Sequence, residues 1–345
     1  MAPGGRPGGP RPPIDHVVVV VKENRTYDML LGGTPASRGP GPLADLCLPS
    51  RAQALRPTVP AYCNRRFPPK AVPVYRALAR RFTVATRYWS EVRGPSDPNH
   101  YMLMSAQSPL VGNRWAWQPT PDMETLADRF TAAGLTWRNY AGYPGAGFGM
   151  VAHLARAPQQ RRWEDFASDA AAGTLPALSW VTPPFPRSDH PPAPIAWGEA
   201  WTAHQVSALW ASPCWARTAA FLLWDDWGGF GDRLPPPVVE LWRDGRPFRY
   251  GRRVPLLVLS PFARPGLAYG LPASHVSIPA FCEAVFGLPA LTFRDAEANP
   301  LLGCFDWDAP QAAPPPLTVP PTGLQERLGA PLLALGAELF RLVQR

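Results

Sequence analysis

The chain has 345 residues, 46% hydrophobic and 17% charged, so it can bury a sizeable core and global disorder is excluded. Its 47 prolines and 29 glycines are about twice the usual share but have no period, which excludes collagen and predicts a loop-rich globular protein. The net charge of +8 is carried almost wholly by arginine, since Lys22 and Lys70 are the only lysines, and no run of five or six basic residues suggests a nucleic-acid-binding tail.

Residues 1–13 read as a disordered Pro/Gly arm without the apolar stretch of a signal peptide, which by itself predicts a cytoplasmic protein. No run of 18 apolar residues predicts a transmembrane helix. Residues 14–21, IDHVVVVV, are apolar without alternation, as in a parallel strand buried on both faces. A Gly-, Pro- and Arg-rich excursion over 33–70 follows, where Cys47 and Cys63 could pair. No two of the five cysteines form a CxxC, and Cys282 reads as a buried thiol.

Pro73 opens a short helix, 82–85 is a strand, and 90–99 is a polar loop. Thr120 and Pro121 start a helix whose stripe is Met123, Leu126, Ala127 and Phe130 and whose stop is Gly134. Strands follow at 135–140, 219–224 and 254–259, then a helix over 277–286 closed by Gly287. This alternation predicts an α/β fold, a doubly wound and mostly parallel sheet with helices on both faces, in one catalytic unit over 14–309. Residues 310–321 read as a proline-rich linker and 323–345 as an amphipathic terminal helix.

Polar residues cluster after strands, where open α/β sheets bind ligands. Glu23-Asn24 follows the first strand, Ser96 lies in the loop after 82–85, and Asp225-Asp226 follows 219–224. If these strands are parallel, all three clusters share one rim and form an oxygen-rich site for a hard cation beside a hydroxyl. Taken singly, each has an ordinary reading as a solvated turn or a hairpin signal.

With these boxes in hand, the sequence resembles the bacterial phosphoesterase family of acid phosphatases and phosphatidylcholine-type phospholipases C. The resemblance runs in order through IDHVVVVVKENRTYDMLLGG, YWSEVRGPSDPNHYMLMSAQS, FASDAAAGTLPALSWVTPPFPRSDHPP, FLLWDDWGGFGDRLPPP, RRVPLLVLSPFARPG and SHVSIPAFCEAVFGLP. It implies an alkaline-phosphatase-like fold, with Glu23, Asn24, Asp225 and Asp226 as ligands of a divalent metal ion. It also implies Ser96 as nucleophile and metal ligand, His190 lining the site, and an extracytoplasmic location.

Two positions depart from the family pattern. Asp232-Arg233 replaces Asp-His, and Ser274-His275 replaces Asp-His while keeping the histidine.

The expected chemistry is hydrolysis of a phosphate ester, either a small molecule or a phospholipid head group, through a phosphoseryl intermediate. A histidine would protonate the leaving group, with His190 and His275 as candidates and His100 third. His16 reads as a core histidine, and His153 and His204 carry no motif. The alternative is a degenerate member that binds a phosphorylated ligand without turnover, suggested by Arg233. Trp115, Trp117, Trp197, Trp201 and Trp210 could supply an apolar surface for lipid, although tryptophans are more often core.

Overall fold

The computed structural model describes residues 11–33, 66–241 and 245–319. Cys47, Cys63, most of the 33–70 excursion and the expected helix over 323–345 lie outside them.

Strand β1 (His16–Lys22) leads into the short helix α1 (Tyr27–Leu31), and α2 (Pro73–Arg81) precedes strands β2 (Thr83–Ala85) and β3 (Tyr88–Trp89). Helices α3 (Ser96–Ser105) and α4 (Leu126–Ala132) come next, followed by β4 (Trp137–Ala141), β5 (Gln160–Arg162) and α5 (Asp165–Ala171). The middle of the chain forms β6 (Leu178–Val181), α6 (Ile195–Trp210) and β7 (Thr218–Trp224). The remainder forms β8 (Val238–Leu241), β9 (Pro247–Arg249), β10 (Leu256–Leu259), β11 (Ala268–Tyr269), β12 (Ala273–Ser274), α7 (Ser277–Phe286) and α8 (Phe293–Glu297).

Eight strands make the central sheet in the order β11-β2-β10-β7-β1-β6-β4-β5. β1 pairs parallel with both β6 and β7, and the run Val17–Val21 is buried. Each such valine contributes about 1.5–3 kcal/mol by leaving water. β10 alone runs against its neighbours β7 and β2. The sheet is therefore mostly parallel, and β1, β2 and β7 point the same way. Helices α1, α2, α5 and α6 form one packed set and α3, α4, α7 and α8 another, which gives the sheet two covered faces.

Three local readings change. The helix expected from Thr120 starts at Thr125, whose side chain closes a capping box with Asp128, while Asp122 binds His153 instead. The expected polar loop over 90–99 ends early, because Ser96 opens α3. Finally, the 311–317 stretch does not leave the body: Gln311 N–H donates to Pro261 O and Leu317 N–H to Ser207 Oγ.

Candidate active site

The register of β1 on β7 builds the first half of the site. Lys22 stands opposite Trp224, so Glu23-Asn24 and Asp225-Asp226 leave the sheet side by side. Asp225 N–H donates to Lys22 O at 3.0 Å, and Asn24 N–H donates to Asp225 Oδ1 at 3.0 Å. Asn24 takes a left-handed backbone (φ 50°), which asparagine tolerates better than most residues. Gly228, itself at φ 60°, lies against it, and a Cβ there would come 2.9 Å from Asn24 Cβ. Glycine is thus needed at 228 both for its backbone and for the close approach.

Ser96 completes the convergence. Its hydroxyl lies 3.1 Å from Asp226 Oδ2 and 3.4 Å from Asn24 Oδ1, with Oγ as donor. The Asn99 side chain holds the preceding turn, accepting from Val92 N–H and donating to Gly94 O and Pro95 O. Ser96 is thereby fixed at the positive end of a ten-residue helix, a favourable place for negative charge.

One turn further along α3 stands His100, on the same face as Ser96. Its Nε2 is 3.5 Å from Asp225 Oδ2 and 3.9 Å from Glu23 Oε1. Ligating atoms of Glu23, His100 and Asp225 all lie within 4.8 Å of one another. Tyr143 OH donates to Glu23 Oε1 at 3.5 Å.

The electrostatics of this cluster are strained. Burial would lower the His100 pKa, but the carboxylates of Asp225, Glu23 and Asp97 raise it to about 9. Burial also opposes charge on Asp225, yet His100 holds its carboxyl below the usual range. Asp226 is pushed well above that range by burial and then by the charges of Asp225 and Glu23. Two polar atoms here, Asp225 Oδ2 and His100 Nδ1, are buried without a hydrogen-bond partner. Crowded carboxylates, an amide oxygen, a serine oxygen and an orphaned carboxylate atom match the donor set of a hard divalent cation.

The other expected residues fall in different places. His275 is fully buried behind Asp225: Nε2 is 2.5 Å from Asp225 O, and Nδ1 is 2.8 Å from Tyr88 OH. Burial lowers its pKa to about 4, so it is neutral and both ring nitrogens are engaged. His190 lies on the partly exposed turn after Ser188, whose carbonyl accepts from Glu23 N–H. Its ring packs on Phe185, with Nδ1 close to Pro191 O.

Both departures have structural partners. Arg233 donates from its backbone N and Nε to Asp28 Oδ2, while Arg253 bridges Asp28 and Asp232. This network ties the loop after Asp226 to α1. Beside Ser274, the buried Glu91 carboxyl accepts from Val276 N–H, bringing an acid to the stretch from another part of the chain.

Comparison with known proteins gives the family and the fold. The chain is 25% identical to the non-hemolytic phospholipase C of Pseudomonas aeruginosa, over 91% of this chain and 60% of that protein. It is 28% identical to phospholipase C B of Mycobacterium tuberculosis, over 69% and 56%, and 27% identical to non-specific phospholipase C6 of Arabidopsis thaliana, over 83% and 71%. The chain thus spans only about 60% of the first of these relatives. A solved alkaline phosphatase superfamily protein from Vibrio parahaemolyticus superposes with a TM-score of 0.50 at 12% identity, covering 84% of this chain and 69% of that one. The fold is that of the alkaline phosphatase superfamily. The model of the phosphoesterase family matches residues 51–289, and the chain belongs to that family.

Proposed function

We propose that this chain hydrolyses phosphate esters through a phosphoserine at Ser96, with a divalent cation held by Glu23, Asn24, Asp225, Asp226 and the serine oxygen. The observation that carries the reading is the convergence of the Ser96 hydroxyl, at the amino end of α3, on Asp226 and Asn24. When bound, the cation supplies charge neutralisation of the phosphoryl group and lowers the pKa of the hydroxyl.

The chain's own residues account for the remaining steps. The Ser96 proton passes to its acceptor, Asp226 Oδ2, and Oγ bonds to phosphorus as the opposite bond to the leaving oxygen breaks. The positive end of α3 stabilises charge on the phosphoryl oxygens. His190, from its partly exposed turn, gives the leaving oxygen a proton. Water then attacks phosphorus and gives a proton to His190, restoring it, while the P–Oγ bond breaks and Ser96 Oγ takes back its proton from Asp226. His100 Nε2 faces Glu23 and Asp225, and His275 holds the Asp225 backbone. Arg233 engages Asp28 and leaves the serine cluster untouched, which favours turnover over a binding-only protein.

The phospholipase C relatives favour a phosphodiester with a lipid alcohol as leaving group. The test compares p-nitrophenyl phosphate with p-nitrophenyl phosphorylcholine, each with and without chelator. Chelator-sensitive hydrolysis with diester preference is expected. Activity that survives exhaustive chelation overturns the cation assignment, and inactivity on both substrates with every divalent ion overturns the hydrolytic reading.

A further inference from the structure

The structure divides the tryptophans into two groups. Trp197, Trp201 and Trp210 are each only 4% exposed and belong to the interior of α6. Trp115 and Trp117 are 51% and 75% exposed, and nearby Val111 is 99% exposed. Val111 and Trp117 are the two most exposed large hydrophobic residues among those described.

The 107–118 loop that carries them is held in place. Ser108 Oγ donates to Leu110 O, and Leu110 N–H donates back to Ser108 Oγ. Trp115 N–H donates to Gln118 Oε1, Gln118 N–H donates to Trp115 O, and Arg114 Nη1 reaches Gln118 O. The indoles therefore stand on a closed turn that presents them to solvent without having to order first.

The loop is also pinned beside the candidate nucleophile. Asp97 N–H donates to Asn113 Oδ1, and Arg114 N–H donates to Asp97 Oδ2 at 2.7 Å, one residue from Ser96. Arg114 is the only charged residue over 107–118, and exposed Arg93 lies just before the Ser96 turn. A second exposed apolar group, Val238, Val239 and Leu241 on β8, belongs to the hairpin between the end of β7 and the start of β10. Those two strand ends lie together at the same rim of the sheet, because Leu256 stands opposite Leu223. Arg249 is exposed on the returning strand of that hairpin.

We propose that the 107–118 loop, with the β8–β9 hairpin as a second contact, docks this protein on an anionic phospholipid bilayer. The idea rests on the phosphodiesterase reading and deepens it by naming the form in which the substrate is met. Tryptophan suits the membrane interface because its ring is amphipathic, and arginine answers anionic head groups. Buried apolar area and charge together set the strength of such binding. Docking on this rim brings head groups to Ser96, so that the lipid need not leave the bilayer entirely.

The experiment measures co-sedimentation with large unilamellar vesicles of phosphatidylcholine and phosphatidylglycerol in a 3:1 ratio. The comparison is made in a Ser96→Ala background, so that no lipid is consumed and the result stands apart from the hydrolytic reading. Adding Trp115→Ser and Trp117→Ser should lower vesicle partitioning by about tenfold or more, since binding scales with apolar area inserted. In the Ser96-containing chain, the same pair should leave hydrolysis of the water-soluble p-nitrophenyl phosphorylcholine unchanged, which also shows that the variant is folded. Equal partitioning of the two proteins overturns the proposal. It is likewise overturned if the parent does not bind vesicles, or if it forms a dimer that the two substitutions dissociate.

Discussion

Two charged clusters begin at Lys22, the last residue of β1, and at Glu23 just after it, and solve the same problem differently. On one side Lys22, fully buried, donates to Arg187 O at 2.7 Å and Gly198 O at 3.1 Å and faces Asp189 at 3.4 Å. Asp189 also accepts from Tyr75 OH and Trp224 Nε1, and Gly198 is small enough to admit it: a Cβ there would sit 1.6 Å from Asp189 Oδ1. Burial lowers the Lys22 pKa and Asp189 opposes that shift, while burial pushes neighbouring Glu199 up to about 8. Both clusters leave buried carboxylate oxygens without a hydrogen-bond partner, Asp189 Oδ1 and Glu199 Oε2 on one side and Asp225 Oδ2 on the other, where Asp225 and Asp226 meet His100, Ser96 and Asn24. The first cluster sets one lysine among its acids, whereas the second crowds Glu23, Asp225 and Asp226 around one histidine, a serine hydroxyl and an amide oxygen, the donor set proposed above for a cation. The difference teaches that neither a buried acid nor an orphaned carboxylate oxygen is enough to mark a site; several acids crowded with a hydroxyl and an amide oxygen are the better guide.

The sharpest way to break this contrast is Ser96→Ala. Turnover should fall about 10⁴-fold or more, as when other covalent nucleophiles are removed, while calorimetry still detects divalent-ion binding. Asp225→Ala should lose both together. Comparable activity in Ser96→Ala would assign the attack to water or another group.

On the closed side, Lys22→Met leaves Asp189 buried without its cation and should cost about 3–5 kcal/mol in urea unfolding. Added divalent ions should not restore that loss. A shift within experimental error would mean that Asp189 is held by Tyr75 and Trp224 alone.

Divalent ions should act only on the open cluster. At a hundredfold excess over Kd they should stabilise the native chain by about 2.7 kcal/mol, seen as a higher Tm that Asp225→Ala abolishes. A Tm indifferent to Mg²⁺, Ca²⁺, Mn²⁺ and Zn²⁺ would remove the open cluster from the comparison.

The smallest effect sharpens the contrast with a third arrangement. Glu283 of α7 is pushed up to about 9 by burial, and then by the hydrogen bond and charge of Asp295. Its carboxyl stays protonated in the folded chain at neutral pH but ionises near 4.5 when unfolded. Stability from this group is fully present below pH 4.5 and declines as pH rises toward 9. Glu283→Gln should remove that decline, gaining about 1 kcal/mol at pH 8 as a neutral donor retained on Asp295. A parallel pH dependence of Tm in both proteins would place the proton elsewhere.

The sequence made part of this legible. β1 and β7 stood out because a parallel strand buried on both faces reads as one apolar run, and their polar tails are adjacent in sequence. Helices α3 and α6 were not visible because they are buried nearly all round, leaving no amphipathic stripe to count. Missing α3 also left His100 only third among the candidate histidines, because it shares a helix face with Ser96 only once residues 96–105 are helical. The partnership of Lys22 with Asp189 joins distant parts of the chain through a register no local pattern reveals. The sequence shows Arg253 only as one of several nearby arginines, and not its bridge to Asp28 and Asp232, because it precedes a strand: β10 is reversed, so its leading end reaches the rim where the other strands deliver their trailing ends.

β1 also sets the order in which the protein can assemble. Its partners are β6 at 178–181 and β7 at 218–224, so during synthesis the valine run waits through most of the fold with both edges unpaired. Such distant pairing makes folding slow, and an exposed apolar strand is prone to pair with other chains meanwhile. Glu23 and Asn24 can meet Asp225 and Asp226 only after β7 has docked, so the candidate site forms late. Newly made chains should depend on chaperones until β7 arrives.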